Sequence, residues 1–431
     1  MYRAASGIGE SFMLAGRRYR LMLTPEQVER CEEFGRICRS VWNTALEQRR
    51  EYRRRGSWIN YEQQAWELAD AKGDHEWLKL APAQVLQQTL MDLERACRER
   101  GTWRVNWRSQ RRWSPSFRFP TGKLITTERI GKRWGRCKLP KLGWVRFRWT
   151  RALGGIVRSA TVSRDGPDWF VSFLVDTGTA TPEQHAKPGS EVGIDRGVVT
   201  AVATSDSVGF DREFTTAGEQ RRYLRLQRKL ARQQSGSANR AKTLTAMRRI
   251  KRAERNRRKD FCAQVSHRIA DEYALIVLER LHIRNMTASA RGTVDDTGSK
   301  VSQKSGLNRN MLGKGWHAFE LALRNAARST GSSIVKVPAA HTSQRCFACH
   351  TVDQASRESQ AVYRCTTCEH TDHADVNAAK NILAAGRKEA GRLHAVTACG
   401  DLGVARSAKQ EPGTSVTGDR QLALLVGVRR L

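Results

Sequence analysis

Acidic side chains are scarce in this sequence. Asp and Glu number 43 among 431 residues, against 76 Lys and Arg, and the formal net charge is +33. Such a deficit of acids excludes an ordinary metabolic enzyme and predicts a polyanionic partner, of which nucleic acid is the commonest. The length corresponds to about two to four domains. Hydrophobic residues make up 39% of the chain, which is enough for a folded core, so global disorder is not expected.

Long apolar runs are also missing. The longest, at residues 274–278 and 422–428, are far shorter than the ~20 residues of a membrane-spanning helix. The start of the chain lacks the apolar region typical of a signal peptide. We therefore expect a cytoplasmic protein without a membrane partner. Its cysteines would be reduced in that compartment, which argues against a disulfide framework.

Two periods of hydrophobic residues divide the first part of the chain. From residue 25 to 112 the apolar positions recur at steps of three and four, which predicts helices. From residue 113 to 187 they alternate, which predicts strands. A strand at residues 17–24 is expected to close this β domain, so that the helices form an insertion in it. Residues 1–16 are expected to be disordered.

The rest of the chain predicts a mixed α/β region. One helix is expected over residues 220–259 and another over residues 375–385, ending near Gly386. The polar stretch 387–431 is expected to be a disordered tail. Strands are expected at residues 192–194, 198–204, 274–278 and 334–337, the first two forming a hairpin.

Four cysteines form two close pairs with the spacing C-x2-C-x15-C-x2-C. A two-residue gap lets both thiolates of a pair reach one ion from a tight turn, and four thiolates suit tetrahedral Zn²⁺. A filled coordination shell makes such a site structural or binding, and chance clustering is the weaker alternative. His350 and Glu369 stand where glycine is common in these turns, which predicts slight strain. The expected zinc ligands are Cys346, Cys349, Cys365 and Cys368.

Three acids lie in contexts that can bring them together. Asp195 lies between two predicted strands, Glu279 follows the strand at 274–278, and Asp375 begins a predicted helix. Each acid alone is ordinarily a solvated boundary residue or a helix cap. Together, two strand-borne acids and one helix-borne acid match the RNase H-like arrangement, in which carboxylates converge on two Mg²⁺ ions that cleave a phosphodiester. We expect these three acids to be catalytic.

One predicted helical stretch is strongly basic. Residues 220–259 hold sixteen Lys and Arg against a single acid, Glu254, so the charges repel one another unless phosphates neutralise them. A solvated face is the alternative, and nucleic-acid contact is favoured. In the N-terminal helices, the mixture of Trp and Arg supports base stacking and core packing equally. The expected nucleic-acid contacts are Arg221, Arg222, Arg225, Arg228, Lys229, Arg248, Arg249, Lys251, Arg252, Arg255, Arg257, Arg258 and Lys259.

Several short motifs surround these acids and cysteines. They are GIDRG at residues 193–197, VLERL at 277–281, TSQRC at 342–346 and DVNAAKNI at 375–382, with TPEQ at 24–27 and WNTAL at 42–46 upstream. Together they resemble TnpB, the family of transposon-encoded RNA-guided DNA endonucleases, which is related to the compact type V CRISPR effectors. The resemblance covers most of the chain. The missing turn glycines and the tail after Asp401 depart from the family pattern, and neither touches the three acids.

The resemblance implies an α/β multidomain fold. It implies a RuvC-like (RNase H-like) nuclease core at residues 188–345 and 369–386, with a zinc ribbon at 346–368 that binds target nucleic acid. It also implies a wedge-like β-barrel at residues 1–24 and 113–187, interrupted by a helical recognition lobe at 25–112. In such proteins Asp195, Glu279 and Asp375 would hold two Mg²⁺ ions, while the zinc would be structural.

The function implied by the resemblance is RNA-guided cleavage of DNA. The partners would be a guide RNA and double-stranded target DNA that carries a short flanking motif, with one RNA bound to a monomer. A nuclease-silent, RNA-guided DNA-binding regulator is the first alternative, although the presence of all three acids favours activity. A transposase is a weaker one, because the sequence has no His-hydrophobic-His motif and no obvious Tyr nucleophile.

Overall fold

The computed structural model describes residues 12–110, 113–292, 298–359 and 361–398. An antiparallel sheet of seven strands is built around the N-terminal strand, in the order β2-β6-β7-β1-β5-β4-β3. Its strands are β1 (Phe12–Met22), β2 (Ser116–Phe119), β3 (Thr126–Arg129), β4 (Trp134–Leu139), β5 (Gly143–Arg148), β6 (Ile156–Asp165) and β7 (Asp168–Ala180).

Strand β1 lies between β7 and β5, so the N-terminal strand joins the β region as expected. The expected bounds of 17–24 were wrong, because the strand begins at Phe12 and ends at Met22. The expectation of disorder over residues 1–16 is therefore wrong for residues 12–16, which pair with β7 through a register that starts at Phe12 and Ala180. Residues 1–11 lie outside the described part of the chain.

Four helices are inserted between β1 and β2: α1 (Pro25–Arg54), α2 (Tyr61–Asp74), α3 (Glu76–Leu80) and α4 (Ala83–Arg100). Helix α1 begins at a capping box, in which the Thr24 side chain accepts from the Gln27 N–H and the Gln27 side chain accepts from the Thr24 N–H. The apolar faces of α1 and α4 share one hydrophobic core with the seven-stranded sheet. Helices therefore separate β1 from β2 along the chain, where the three- and four-residue period predicts them.

A second sheet has five strands in the order β10-β9-β8-β11-β12. They are β8 (Glu191–Asp195), β9 (Val202–Thr204), β10 (Gly209–Phe210), β11 (Leu275–Arg280) and β12 (Ser333–Pro338). Strands β8, β11 and β12 are parallel, and β9 is antiparallel to β8. The predicted hairpin is present, but residues 198–201 form a loop and β9 starts only at Val202.

Six helices of the described residues accompany this sheet: α5 (Ala217–Ala231), α6 (Ala238–Glu272), α7 (Ile283–Met286), α8 (Val301–Lys314), α9 (Trp316–Thr330) and α10 (Ala374–Ala398). Three of them, α6, α9 and α10, cover the two faces of the sheet. Phe261 of α6 and Leu323 of α9 pack with Ile194 and Leu278 on one face. Ile382 and Leu383 of α10 pack with Val277 and Val337 on the other.

Two expected helix boundaries were wrong. The basic stretch 220–259 is divided between α5 and α6 by a turn that contains Gly236 at a positive φ of 83°. Helix α10 continues to Ala398 because Gly386 does not end it. A Cβ on Gly386 would lie 2.3 Å from a Val277 methyl, so this glycine permits close helix–sheet packing. The expected tail is thus helical from 387 to 398, and residues 399–431 lie outside the described part.

A small two-stranded sheet lies between β12 and α10. Its strands, β13 (Val362–Arg364) and β14 (Thr371–His373), are antiparallel and flank the second cysteine pair. Among the described helices, none is both long enough and apolar enough to cross a membrane.

Candidate active site and zinc site

Two of the predicted acids lie side by side at the ends of parallel strands. The register pairs Ile194 of β8 with Leu278 of β11, so Asp195 and Glu279 are each one residue further along. Neighbouring strands are about 4.8 Å apart, and residues at matched positions point to the same face. Buried aliphatic residues on the opposite face hold both strands against α6 and α9. The fold therefore presents two carboxylates together at one edge of the sheet.

Helix α10 brings the third acid to the same place. A Cβ on Gly193 would lie 2.1 Å from the Ala379 carbonyl oxygen, so only glycine lets α10 lie this close to β8. Asp375 is in the first turn of α10 and is buried. A Cβ on Gly197, in the loop after β8, would be 3.8 Å from Asp375 Oδ2. Asp375 thus lies beside the loop that follows Asp195.

One cavity of about 520 Å³ is lined by all three acids. Burial, together with the nearby charges of Glu279 and Asp375, raises the pKa of Asp195 to about 7. Burial also raises the pKa of Glu279, although the hydrogen bond from Thr342 and the charge of Arg196 act against this shift. Three carboxylates in a buried site repel one another, and bound cations would reduce this repulsion.

Three polar residues that line the cavity contact Glu279 or Asp375 and were not predicted from the sequence. Thr342 Oγ1 donates to Glu279 Oε1 at 2.5 Å. Arg196 Nη2 donates to the Glu279 backbone oxygen at 2.5 Å. The Arg357 guanidinium lies 3.4 Å from Asp375 Oδ1. Arg196 lies in the GIDRG motif and Thr342 begins the TSQRC motif, so these motifs could have indicated both residues. No motif in the sequence indicates Arg357.

Two asparagines of the DVNAAKNI motif at 375–382 have a structural role on α10. Asn377 Nδ2 donates to the Arg345 oxygen at 2.8 Å, and Asn381 Nδ2 donates to the oxygens of Arg345 and Thr342 at 2.7 and 3.1 Å. Because the residues are four apart, both side chains lie on one face of the helix. They hold the loop that carries Thr342 and leads into the first cysteine pair. The acid cavity and the cysteine cluster are therefore joined through one helix.

The four predicted cysteines form a compact cluster. Their sulfurs all lie within 4.8 Å of one another, with Cys346 and Cys368 at 3.7 Å and Cys349 and Cys365 at 3.5 Å. Thiolates converging in this way suit a tetrahedral zinc ion. Among the described residues no other group of three or more His, Cys, Asp or Glu is this compact, and the three cavity acids are more widely spaced.

The two cysteine turns have the same backbone pattern. The His350 N–H donates to the Cys346 oxygen and the Glu369 N–H to the Cys365 oxygen, at 3.0 and 3.1 Å. His350 and Glu369 have positive φ values of 64° and 59°, as expected where glycine is common. The predicted strain is thus present at both positions.

The predicted basic contacts fall into two groups. Five have a carboxylate partner within the chain, contrary to the expectation that only phosphates could neutralise them. Arg252 and Arg255 pair with Asp168 and Asp165 of the β6–β7 turn, and so connect α6 to the seven-stranded sheet. The other three pairs are Lys251 and Arg258 with Glu254, and Arg257 with Glu219.

Eight of the predicted contacts have no ion pair among the described residues, and all are exposed: Arg221, Arg222, Arg225, Arg228, Lys229, Arg248, Arg249 and Lys259. Arg225, Arg228 and Lys229 line a groove of about 320 Å³ on α5. Among the predicted contacts, those without an ion pair thus lie on α5 and on part of α6.

Three family models match the chain. OrfB_IS605, described as "Probable transposase", matches residues 172–290, and the "Cas12f1-like, TNB domain" model matches residues 316–382. A "Helix-turn-helix domain" model matches residues 13–57, where the structure has β1 followed by the single long helix α1. The first two matches contain Asp195, Glu279, Asp375 and the four cysteines.

Two relatives are similar along nearly their whole length. The chain is 36% identical to the "Putative RNA-guided DNA endonuclease InsQ" of Escherichia coli (strain K12), over 91% of this chain and 96% of that protein. It is 28% identical to a "Putative RNA-guided DNA endonuclease" of Streptomyces pristinaespiralis, over 93% and 97% of the two chains. Among solved structures, the Cas12f1 chain of a Cas12f1–sgRNA–target DNA complex is similar in fold, with a TM-score of 0.55, 13% identity, and coverage of 84% and 83%.

Proposed function

Because the chain belongs to the TnpB (OrfB_IS605) family, we propose that it is an RNA-guided DNA endonuclease. It binds a guide RNA, recognises a short motif beside its target, opens the duplex and hydrolyses DNA phosphodiesters. Relatives named RNA-guided DNA endonucleases, similar over more than nine-tenths of the chain, support this assignment. In guided recognition, base pairing reads the target sequence while the protein reads shape, charge and a short duplex motif.

A single observation carries the catalytic part of the proposal. Asp195, Glu279 and Asp375 come from segments about 80 to 100 residues apart, yet they line one cavity. Residues 188–345 and 369–386 would form a RuvC-like nuclease core around it. Parallel strands with helices on both faces, and acids at the strand ends, support this interpretation.

The donor set fits divalent cations. Carboxylate oxygens are the ligands that Mg²⁺ prefers, and the raised pKa of Asp195 reflects a buried cluster of negative charge that cations would relieve. Asp195, Glu279 and Asp375 would hold two Mg²⁺ ions. When bound, such ions activate a water and stabilise the leaving oxygen of the phosphodiester.

The surrounding side chains would orient this machinery. Thr342 fixes the rotamer of Glu279 through its hydroxyl, and Arg196 holds the backbone at the same residue. Arg357 lines the cavity beside Asp375, where its guanidinium can bind a non-bridging oxygen of the scissile phosphate. Asp375 and a phosphate would compete for Arg357. Binding of the substrate would therefore free the Asp375 carboxylate from its ion pair with this arginine.

The remaining regions would bind nucleic acid. Residues 1–24 and 113–187 would form the wedge-like β-barrel, residues 25–112 the helical recognition lobe, and residues 346–368 a zinc ribbon that contacts the target. The exposed bases of α5 and α6 would contact phosphates of the guide RNA or of its duplex with DNA. We propose a cytoplasmic monomer with one RNA.

The decisive experiment uses the protein purified with its copurifying RNA. That RNA is sequenced, and a plasmid carrying the matching target beside a randomised flank is incubated with the complex and Mg²⁺. Cleavage that depends on both the guide match and one flank supports the proposal. Asp195→Asn, Glu279→Gln and Asp375→Asn should each lower cleavage by at least roughly a thousandfold while RNA and DNA binding persist. The control Asp271→Asn changes an exposed acid on α6 and should cut normally.

Other outcomes of this experiment have clear meanings. Guided DNA binding without cleavage by the wild-type protein would identify a nuclease-silent regulator. Strand joining in addition to cutting would identify a transposase. RNA and DNA affinity should fall steeply with salt, because each neutralised phosphate releases a counterion, and salt-insensitive binding would contradict the proposal.

A further inference from the structure

Two tryptophans beside the end of α1 face solvent. Trp103 and Trp107 are 57% and 43% exposed, whereas Trp42, in the same region, is buried. Scattered exposed apolar residues are normal in proteins, but neighbouring exposed indoles mark an interaction surface. Trp42 therefore serves the core, and Trp103 and Trp107 are available for a partner.

Arginines of α1 lie against these two rings. The Arg50 guanidinium is 4.7 Å from the Trp107 ring centre and 5.8 Å from that of Trp103, and the Arg54 guanidinium is 5.7 Å from that of Trp103. Arg50 has no carboxylate within ion-pair distance among the described residues, while Arg54 pairs with Glu51. We call Trp103, Trp107, Arg50 and Arg54 the Trp–Arg platform. It alternates flat cations with flat aromatic rings.

The segment that carries the indoles is fixed independently of them. The Trp42 Nε1–H donates to the Asn106 oxygen at 3.3 Å, and Arg50 Nη2 donates to the Val105 oxygen at 2.9 Å. Asn43 exchanges two hydrogen bonds with the backbone of Arg108, at 2.9 and 3.2 Å. Val105 is buried in the shared core. The platform is therefore held in place while the two indoles remain open on one side.

We propose that the Trp–Arg platform stacks unpaired bases of the guide RNA, which extends the proposed function and rests on it. Positive charge excludes cationic partners, and planar rings with guanidinium groups match nucleobases and phosphates together. Bases in intact duplex DNA are stacked on one another and are closed to such a surface. Structured RNA presents loops whose unstacked bases are bound by aromatic and Arg planes. RNA is thus the partner that offers free bases before any target is opened.

The test measures binding of short nucleic acids to the full chain. The probes are an unstructured adenine–cytosine RNA of about 20 nucleotides, the DNA strand of the same sequence, and the corresponding DNA duplex. Affinity is measured by fluorescence anisotropy, and stacking by quenching of tryptophan emission. The variants are Trp103→Ala/Trp107→Ala and Trp103→Phe/Trp107→Phe. The control Trp77→Ala removes an indole on α3 that is 42% exposed and lies outside the platform.

We expect the double alanine variant to bind the RNA roughly 10- to 100-fold more weakly, from the stacking of about two bases. The double phenylalanine variant should keep most of its affinity for the RNA, and Trp77→Ala should bind the RNA like the wild type. Binding of the DNA duplex should be unchanged in the double alanine variant. Equal loss for RNA and duplex would show a general electrostatic effect and overturn the proposal. Unchanged RNA binding by the double alanine variant would also overturn the proposal. A larger loss for the DNA strand than for the RNA would overturn it too, because it would assign the platform to DNA whose strands have been opened.

Two measurements distinguish loss of stacking from unfolding and from failure of the proposed function. An unchanged melting temperature for the alanine variant shows that the fold is intact, since both indoles are exposed. Guided cleavage by the wild-type protein is measured in parallel. If cleavage is absent but the RNA-specific loss is present, the proposed function fails and the stacking surface stands. If cleavage is present and the loss is absent, the stacking surface alone fails.

Discussion

Thr342 donates a 2.5 Å hydrogen bond to Glu279, so the loop that leads into the cysteine cluster also positions a carboxylate of the cavity. Asn381 of α10 holds the backbone of Thr342 in turn. The candidate zinc site and the candidate catalytic site are therefore mechanically connected. Damage to one site is therefore expected to affect the other.

Removing the Thr342 hydroxyl should weaken catalysis without unfolding the protein. In Thr342→Val the Glu279 carboxylate loses its donor, so its pKa should rise further and its affinity for Mg²⁺ should fall. We expect a loss of about 10- to 100-fold in cleavage at low Mg²⁺, partly recovered at high Mg²⁺. Thr342→Ser keeps the hydroxyl and should stay near the wild type. Mg²⁺ titrations of guided cleavage measure this, and equal activity of the two variants would contradict it.

The pH dependence of stability should be unusual because of Asp195. Its pKa of about 7 lies above the ordinary value of 3.8, so the folded metal-free protein holds this proton more tightly than the unfolded chain does. The free energy of unfolding should therefore fall as pH rises from about 4 to 7, by up to about 4 kcal/mol from this group. Asp195→Asn should remove this contribution and stabilise the metal-free protein at pH 8. Denaturant unfolding in a chelator at several pH values provides the measurement.

The same titration predicts how Mg²⁺ acts. Because the ion binds the deprotonated carboxylates, Mg²⁺ should raise the melting temperature more at pH 8 than at pH 6. Asp195→Asn should lose most of this rise, whereas Asp271→Asn, an exposed acid on α6, should retain it. A rise that is independent of pH and of Asp195 would place the bound ions elsewhere.

Arg357 should matter for the substrate more than for the fold. Arg357→Ala removes the positive charge beside Asp375, so the scissile phosphate would lose a ligand. We expect cleavage to fall by about 10- to 1000-fold with guided binding intact. Arg357→Lys should recover part of the rate, because it keeps the charge but not the bidentate geometry. Single-turnover rates report this, and normal cleavage by Arg357→Ala would contradict the role.

Loss of one zinc ligand should release the metal. Cys365→Ser should leave less than one zinc per chain by elemental analysis, and it should lower the melting temperature, since the cluster anchors the loop of Thr342. Cys97→Ser is the matched control, because Cys97 lies on α4 outside the cluster. Unchanged zinc content in Cys365→Ser would refute the zinc site. Normal cleavage after zinc loss would show that the cavity does not depend on the cluster.

Close packing of α10 on β8 should be sensitive to one methyl group. In Gly193→Ala the new Cβ would meet the Ala379 oxygen at 2.1 Å, so helix and strand must separate. We expect a loss of about 1–3 kcal/mol in the free energy of unfolding, and lower cleavage because Asp375 moves with α10. Gly306→Ala, in α8, has no neighbour within 4 Å and should be neutral or slightly stabilising. Thermal melts of the two variants compare these effects.

Local signals in the sequence predicted local structure well. The helical period from residue 25 and the spacing of the cysteines led to a helix that begins at Pro25 and to a four-sulfur cluster, and the structure contains both. Errors arose where a residue type has more than one use. Gly386 resembled a helix stop but serves close packing against Val277, because only contacts from a distant strand give it that role.

Sequence by itself determined the charge excess, the cysteine spacing and the family, because these depend on residue identity and order alone. Tertiary structure decided which charges are free, since Asp165 and Asp168 neutralise arginines more than 80 residues away. It also decided that Thr342 and Arg357 face the acids and that Trp103 and Trp107 face solvent. The ion-pair partner and the exposure of a side chain depend on how distant segments pack together, so they cannot be determined from the order of residues alone.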